Sequence, residues 1–275
     1  MSGNGTNMND SQLYDDDAVY SRPPGGDDNY ASEYQGECQP DHISSTQANP
    51  TSAPTPIEED RPDASVKACK NIRVVFVHDL SGSMEPHVRT VSTGTNEFIQ
   101  DLQMRYEEPC AYNAQFLLIT FAGNTITVGE WQNIIGHPMY TPSNFKCHGP
   151  TPLWDACDVG LDKIIQDCQG VTACMYAFTD GDDNNSKRAT RETIRTKVTS
   201  LDPAKHTMLF IGSDPMSRRN ADDIGLDRVR SLNPSSDDTP TAMRACTNTI
   251  ARCVTGETQT PEFNDNDIAT SEGHR

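Results

Sequence analysis

Four short apolar runs lie along the middle of the chain, and each ends in polar or turn-forming residues. The runs are rich in β-branched and aromatic residues, which is typical of buried strands. They cover residues 73–78, 115–121, 172–178 and 207–211. After the turn signal Gly123-Asn124, residues 125–128 predict an antiparallel edge strand that pairs with the second run.

The segments between these runs have helical spacing of their apolar residues. Val88, Val91, Thr95, Phe98 and Leu102 share one helix face, and similar spacing predicts helices that begin at 153, pass through 194–201 and cover 242–254. Residues 215–240 give no clear assignment. Apolar strands that alternate with helices predict a doubly wound α/β fold. Its sheet is mostly parallel with one antiparallel edge strand, it has helices on both faces, and it is Rossmann-like.

Composition divides the chain into three parts. Residues 1–66 carry thirteen acidic residues, two arginines and seven prolines, with almost no aliphatic runs. Such a segment buries too little apolar area to offset the entropy of ordering, so we expect a disordered acidic N-terminal region over 1–66. Residues 256–275 hold five acidic residues and one arginine, which predicts a disordered acidic C-terminal tail. The folded domain is therefore predicted at 67–255.

Charge and cysteine content exclude several classes of protein. The formal net charge is -18, but residues 67–255 contain 22 acidic and 19 basic residues without a basic stripe, so no nucleic-acid partner is expected. No apolar run is long enough to cross a bilayer and Met1 begins no secretory signal, which predicts no membrane association and a cytoplasmic location. The nine cysteines lack CxxC spacing, which favours buried thiols over a zinc site or a disulfide framework.

Oxygen-bearing residues follow the predicted strands where ligands bind in open α/β sheets, beyond the carboxyl ends of the strands. Asp79, Ser81 and Ser83 follow the first strand, Thr151 precedes the second helix, and Asp180 follows the third apolar run. Two carboxylates and three hydroxyls form an all-oxygen set that suits Mg²⁺, with Mn²⁺ as a further possibility. Because few of these ligands are charged, an acidic group from outside has a coordination position to take.

Three segments resemble the motifs of von Willebrand factor type A (VWA) domains. Asp79-Leu80-Ser81-Gly82-Ser83 is similar to the family's DxSxS motif. Residues 150–156 (PTPLWDA) are similar to its G-T-P-L-Y-D-A segment, and 178–181 (FTDG) to its hydrophobic-T-D-G segment. The resemblance covers about residues 70–255.

The resemblance implies a metal-ion-dependent adhesion site. Ser81, Ser83 and Thr151 would be ligands, and Asp79 and Asp180 would bind the metal directly or through water. An Asp or Glu of a partner protein would complete the coordination. We therefore expect a protein-binding domain and not an enzyme.

Two local features and two other functions stay open at this point. Pro150 stands where the family commonly has glycine, which restricts the backbone before Thr151. Asp182 and Asp183 could replace Asp180 in its role.

The alternative functions are metal-assisted hydrolysis with His148 as the base, and an adaptor subunit of a larger ATPase-driven complex. No GxSxG or GxxxxGK[ST] motif supports another enzyme class.

Overall fold

The structure is a computed structural model that describes residues 71–105, 114–214, 216–235 and 238–273. The predicted acidic region 1–66 lies outside the described residues. All helices and strands described below belong to the compact unit of residues 67–275.

Seven strands form one mixed sheet. They are β1 (Ile72–Asp79), β2 (Ala114–Ala122), β3 (Thr125–Val128), β4 (Gln132–Asn133), β5 (Thr172–Thr179), β6 (His206–Gly212) and β7 (Ser231–Leu232). The order across the sheet is β3-β2-β1-β5-β6-β7, and β4 also pairs with β2. β1, β2, β5, β6 and β7 are parallel, whereas β3 and β4 run antiparallel to β2. All four apolar runs and the predicted edge strand β3 are confirmed.

In the described residues, six α-helices cover the two faces of this sheet. They are α1 (Val88–Arg105), α2 (Leu153–Asp167), α3 (Arg191–Ser200), α4 (Ser217–Asp223), α5 (Thr239–Thr255) and α6 (Asp265–Ser271). Alternate residues of β1 face opposite ways: Val74 and Phe76 lie in the core cluster with α1 and α5, and Val75 and Val77 lie in the cluster with α2 and α3. The doubly wound α/β fold is confirmed. No helix within the described ranges is long and apolar enough to cross a membrane.

The C-terminal boundary differs from the sequence-based prediction. Residues 256–273 are folded, with Phe263 and Ile268 in the core and α6 capped by the Asn264 side chain. Asp267 is 2% exposed and pairs with Arg252 of α5. The predicted disordered tail is therefore wrong for these residues. Two apolar anchors are too few to give a helical period, and one of the acidic residues that suggested disorder forms a buried ion pair.

The described cysteines agree with the expectation of buried thiols. Cys157, Cys168, Cys174, Cys246 and Cys253 are buried, and Cys147 is half-buried. The remaining three cysteines lie outside the described residues.

Candidate metal centre

The loops after β1 and β5 bring four of the five predicted ligands together. The Ser81 and Ser83 hydroxyl oxygens lie 3.1 Å apart. Ser83 Oγ donates a hydrogen bond of 2.8 Å to Asp180 Oδ1. Because β1 and β5 are adjacent parallel strands, their carboxyl ends deliver both loops to one edge of the sheet. Ser83 is exposed and Asp180 half-exposed, so this edge is open to solvent.

Asp79 lies at the end of β1 and is fully buried. Its Oδ1 accepts the Ser81 N–H at 2.7 Å, and its Oδ2 accepts the Thr179 hydroxyl at 2.7 Å. Burial raises the pKa of Asp79 to about 6, although the hydrogen bonds from Thr179 and Ser81 act in the opposite direction; the Asp180 charge raises it further. A nearby cation would favour the ionised form of this carboxylate.

Thr151 is the fifth predicted ligand, and hydrogen bonds join its loop to the other two loops. Gly82 N donates to Gly149 O at 2.9 Å, and His148 N donates to Leu80 O at 2.9 Å. On the other side, Thr151 N donates to Asn184 Oδ1 at 2.7 Å, and Asn184 N donates back to Thr151 O at 3.1 Å. Thr151 is 4% exposed. The predicted site residues therefore occupy three interlocked loops.

Pro150 fits into this arrangement without disturbing it. The preceding Gly149 has φ +66°, a left-handed conformation that suits glycine, and so makes the turn that Pro150 cannot make. Pro150 O accepts the Gly123 N–H at 2.7 Å. This main-chain hydrogen bond joins the Thr151 loop to the β2–β3 turn.

The choice among the three neighbouring aspartates is narrowed by their contacts. Asp182 Oδ1 pairs with Arg191 at 2.9 Å. Asp183 Oδ1 accepts the Ser186 hydroxyl at 2.5 Å. Only Asp180 of the three is hydrogen-bonded to Ser83 in the described part of the chain, which favours Asp180 in the site.

Sequence reasoning missed the residues that hold these loops in place, above all Asp155. This aspartate lies in the first turn of α2 and is 7% exposed. Its two carboxylate oxygens accept three successive main-chain N–H groups, those of Lys187, Arg188 and Ala189, at 2.7–3.0 Å. It thereby fixes the segment between β5 and α3. The PTPLWDA segment contains Asp155, but its partners lie more than thirty positions away and leave no local signal.

Two histidines near the site have different environments. His78 is 1% exposed and stacks on Phe76 with ring centroids 5.2 Å apart; burial lowers its pKa to about 3. It is therefore a neutral core residue. His148 is exposed, and its Nδ1 lies 3.1 Å from Lys146 O.

The donor set fits a hard divalent cation. Within the described ranges no three His, Cys, Asp or Glu side chains gather as a metal-binding group. The site instead combines hydroxyls with Asp79 and Asp180, and Mg²⁺ and Mn²⁺ prefer such oxygen donors over sulfur. The burial of Asp79 favours a bound cation, because a fully buried carboxylate is costly without a compensating charge.

Solved structures show which fold this is. The pilus adhesin SpaC from Lactobacillus rhamnosus GG is 14% identical with a TM-score of 0.54, over 67% of this chain and 30% of SpaC. The vWF domain of the type V pili tip protein Mfa5 from Porphyromonas gingivalis is 8% identical with a TM-score of 0.54, over 68% of this chain and 97% of that domain. The chain has the fold of a VWA domain. It spans about 30% of the length of SpaC.

Other comparisons add little to this VWA assignment. Proximal thread matrix protein 1 from the mussel byssus, solved with a zinc-occupied MIDAS motif, aligns with a TM-score of 0.45 and 16% identity, over 66% of this chain and 46% of that protein. No family model and no curated protein sequence matches the chain. At these identities the likeness shows the fold, and the metal centre rests on the residues of this chain.

Proposed function

We propose that this VWA domain is a divalent-metal-dependent protein-binding module. It engages an Asp or Glu side chain of a partner through a bound Mg²⁺. Asp79, Ser81, Ser83, Thr151 and Asp180 would hold the ion, which would supply an electrophilic position for the partner's carboxylate. The observation that supports the proposal is the contact of Ser83 with both Ser81 and Asp180, together with the hydrogen bond from the Ser81 N–H to the buried Asp79.

The arrangement suits binding better than catalysis. The exposed ligands form part of an open edge, and the charge of two carboxylates balances one divalent ion, so an incoming carboxylate meets no excess negative charge. SpaC is a pilus adhesin and Mfa5 a pili tip protein, which supports adhesion as the use of the fold in those proteins. By analogy we assign this chain an adhesion or scaffold role.

A pull-down with the full chain tests the proposal. The immobilised protein is incubated with a cell extract in Mg²⁺ or in EDTA, and bound proteins are identified by mass spectrometry. We expect specific proteins that are retained in Mg²⁺, released by EDTA and absent with Ser83→Ala. The matched control is Asp182→Asn, whose carboxylate lies in the same loop but pairs with Arg191. Capture that is equal in Mg²⁺ and EDTA would contradict the proposal.

A further inference from the structure

The β2–β3 turn connects the two loops that carry Thr151 and Asp180. Gly123 N donates to Pro150 O at 2.7 Å, next to Thr151. Asn185 Nδ2, in the loop that begins with Asp180, donates to Gly123 O at 2.5 Å and to Asn124 Oδ1 at 3.0 Å. The turn therefore lies beside the metal centre, along the side formed by these two loops.

Lys187 reaches across to this turn. Its Nζ donates to Asn124 Oδ1 at 3.0 Å, and its side chain is exposed. An ammonium group has three donors, and this contact uses one of them. Asn124 Oδ1 accepts from both Asn185 and Lys187, so the N–H groups of the Asn124 amide are left for another acceptor. We call Asn124 and Lys187 together the turn edge.

The Lys187 ammonium differs from two other basic groups, both on α3, because it has no carboxylate partner among the described residues. Lys197 pairs with Asp158 at 2.7 Å and with Asp162 at 2.6 Å. Arg191 pairs with two aspartates as well. The Lys187 ammonium, in contrast, has only an amide oxygen as its hydrogen-bond partner within the part of the chain that the structure describes. Two further exposed basic residues, Lys146 and Arg188, lie on the loops that carry Thr151 and Asp180.

We propose that the turn edge is a second recognition point that binds another carboxylate of the same partner segment. The partner is then an acidic segment: one carboxylate enters the metal centre, and a second one, a few residues away, accepts hydrogen bonds from Lys187 and Asn124. This inference rests on the proposed function. A charge-assisted hydrogen bond at an open surface adds modest affinity, but it fixes the direction of the bound segment. The turn is hydrogen-bonded to the loops that carry Thr151 and Asp180, so we expect the two acidic residues to lie a small, fixed number of positions apart in the partner segment.

A peptide library displayed on phage tests the inference without knowledge of the natural partner. The library is selected on the immobilised full chain in Mg²⁺ and eluted with EDTA. Peptides from the parent should share one Asp or Glu and carry a second acidic residue at a fixed offset. Lys187→Gln should keep the first preference and lose the second, and Lys187→Arg should restore it. A synthetic peptide from the parent pool should bind Lys187→Gln about 3- to 10-fold more weakly, as expected for an exposed charged hydrogen bond.

Lys205→Gln is the matched control. Lys205 precedes β6, at the opposite end of the parallel sheet, and its ammonium lies 4.0 Å from Asp202. It should select the same peptides as the parent. Peptides that carry a single acidic residue and elute equally from the parent and Lys187→Gln would overturn the turn edge while the metal-dependent function stands. If EDTA elutes no peptide from any variant, the proposed function fails and this inference with it.

Discussion

Replacement of Asp79 by asparagine should stabilise the metal-free protein near neutral pH. Asp79 is fully buried, and desolvation raises its pKa from 3.8 to about 6. The amide has the same shape and no charge. It can still accept the Ser81 N–H, and the Thr179 hydroxyl can turn its proton to Gly181 O, which lies 3.2 Å away.

The size of the effect follows from the linkage between protonation and folding. The folded chain binds this proton more tightly than the unfolded chain, so the contribution of Asp79 to stability is fully present below pH 3.8. It is lost as the pH rises through about 6. Above that pH, the ionised and buried Asp79 lowers the free energy of unfolding by about 3 kcal/mol, because a change of one pKa unit is worth about 1.4 kcal/mol. Asp79→Asn removes the cost of burying an ionised carboxylate. We also expect it to abolish Mg²⁺ binding.

Urea denaturation of the full chain measures the prediction. In EDTA at pH 7.5, Asp79→Asn should have the higher free energy of unfolding, by up to about 3 kcal/mol, and the difference should shrink at pH 5. Addition of Mg²⁺ should stabilise the parent and leave the variant unchanged. The control Asp182→Asn changes a half-exposed carboxylate and should show neither effect. A parent that is at least as stable as Asp79→Asn in EDTA at pH 7.5 would contradict the prediction.

Three further predictions concern the supports of the site and the C-terminal segment. Thr179→Val removes a hydrogen-bond donor to Asp79 and should weaken the affinity for Mg²⁺ about 10-fold in calorimetry. The control Thr207→Val removes a buried hydroxyl without a described partner and should leave that affinity unchanged. Asp155→Ala leaves three main-chain N–H groups without their acceptor and should lower the free energy of unfolding by about 3 kcal/mol; a loss below 1 kcal/mol would contradict its role. Asp267→Ala leaves the charge of Arg252 unpaired and should cost about 3–5 kcal/mol in the same assay, while a neutral result would mean that residues 256–273 do not support the fold.

Much of the fold is local information, and the sequence predicts that part well. The strands β1, β2, β5 and β6 are continuous apolar runs because both faces of a parallel sheet are covered, and their predicted bounds agree with the structure to within one residue at each end. The two-residue strands β4 and β7 are too short to show any period. The helix α6 shows no helical spacing of apolar residues, because Ile268 is its one large buried apolar residue and Phe263 precedes it.

In the candidate site, the sequence predicts the positions of the ligands but not the residues that support them. Asp79, Ser81, Ser83 and Asp180 follow strands whose ends a parallel sheet must bring together, so the sequence alone places them on one edge. The supports of the site depend on pairings across many residues. Asp155 accepts from a segment beyond the next strand, and Lys187 reaches the β2–β3 turn, neither of which any local pattern indicates.

The central claim is that these three loops bind a divalent cation, and a calorimetric titration of Mg²⁺ into the EDTA-stripped and dialysed full chain tests it directly. The account predicts saturable binding of one ion per chain, which Ser81→Ala and Asp180→Ala weaken strongly and Asp182→Asn does not. Absence of binding by the parent, or equal affinity in all four proteins, would contradict the account.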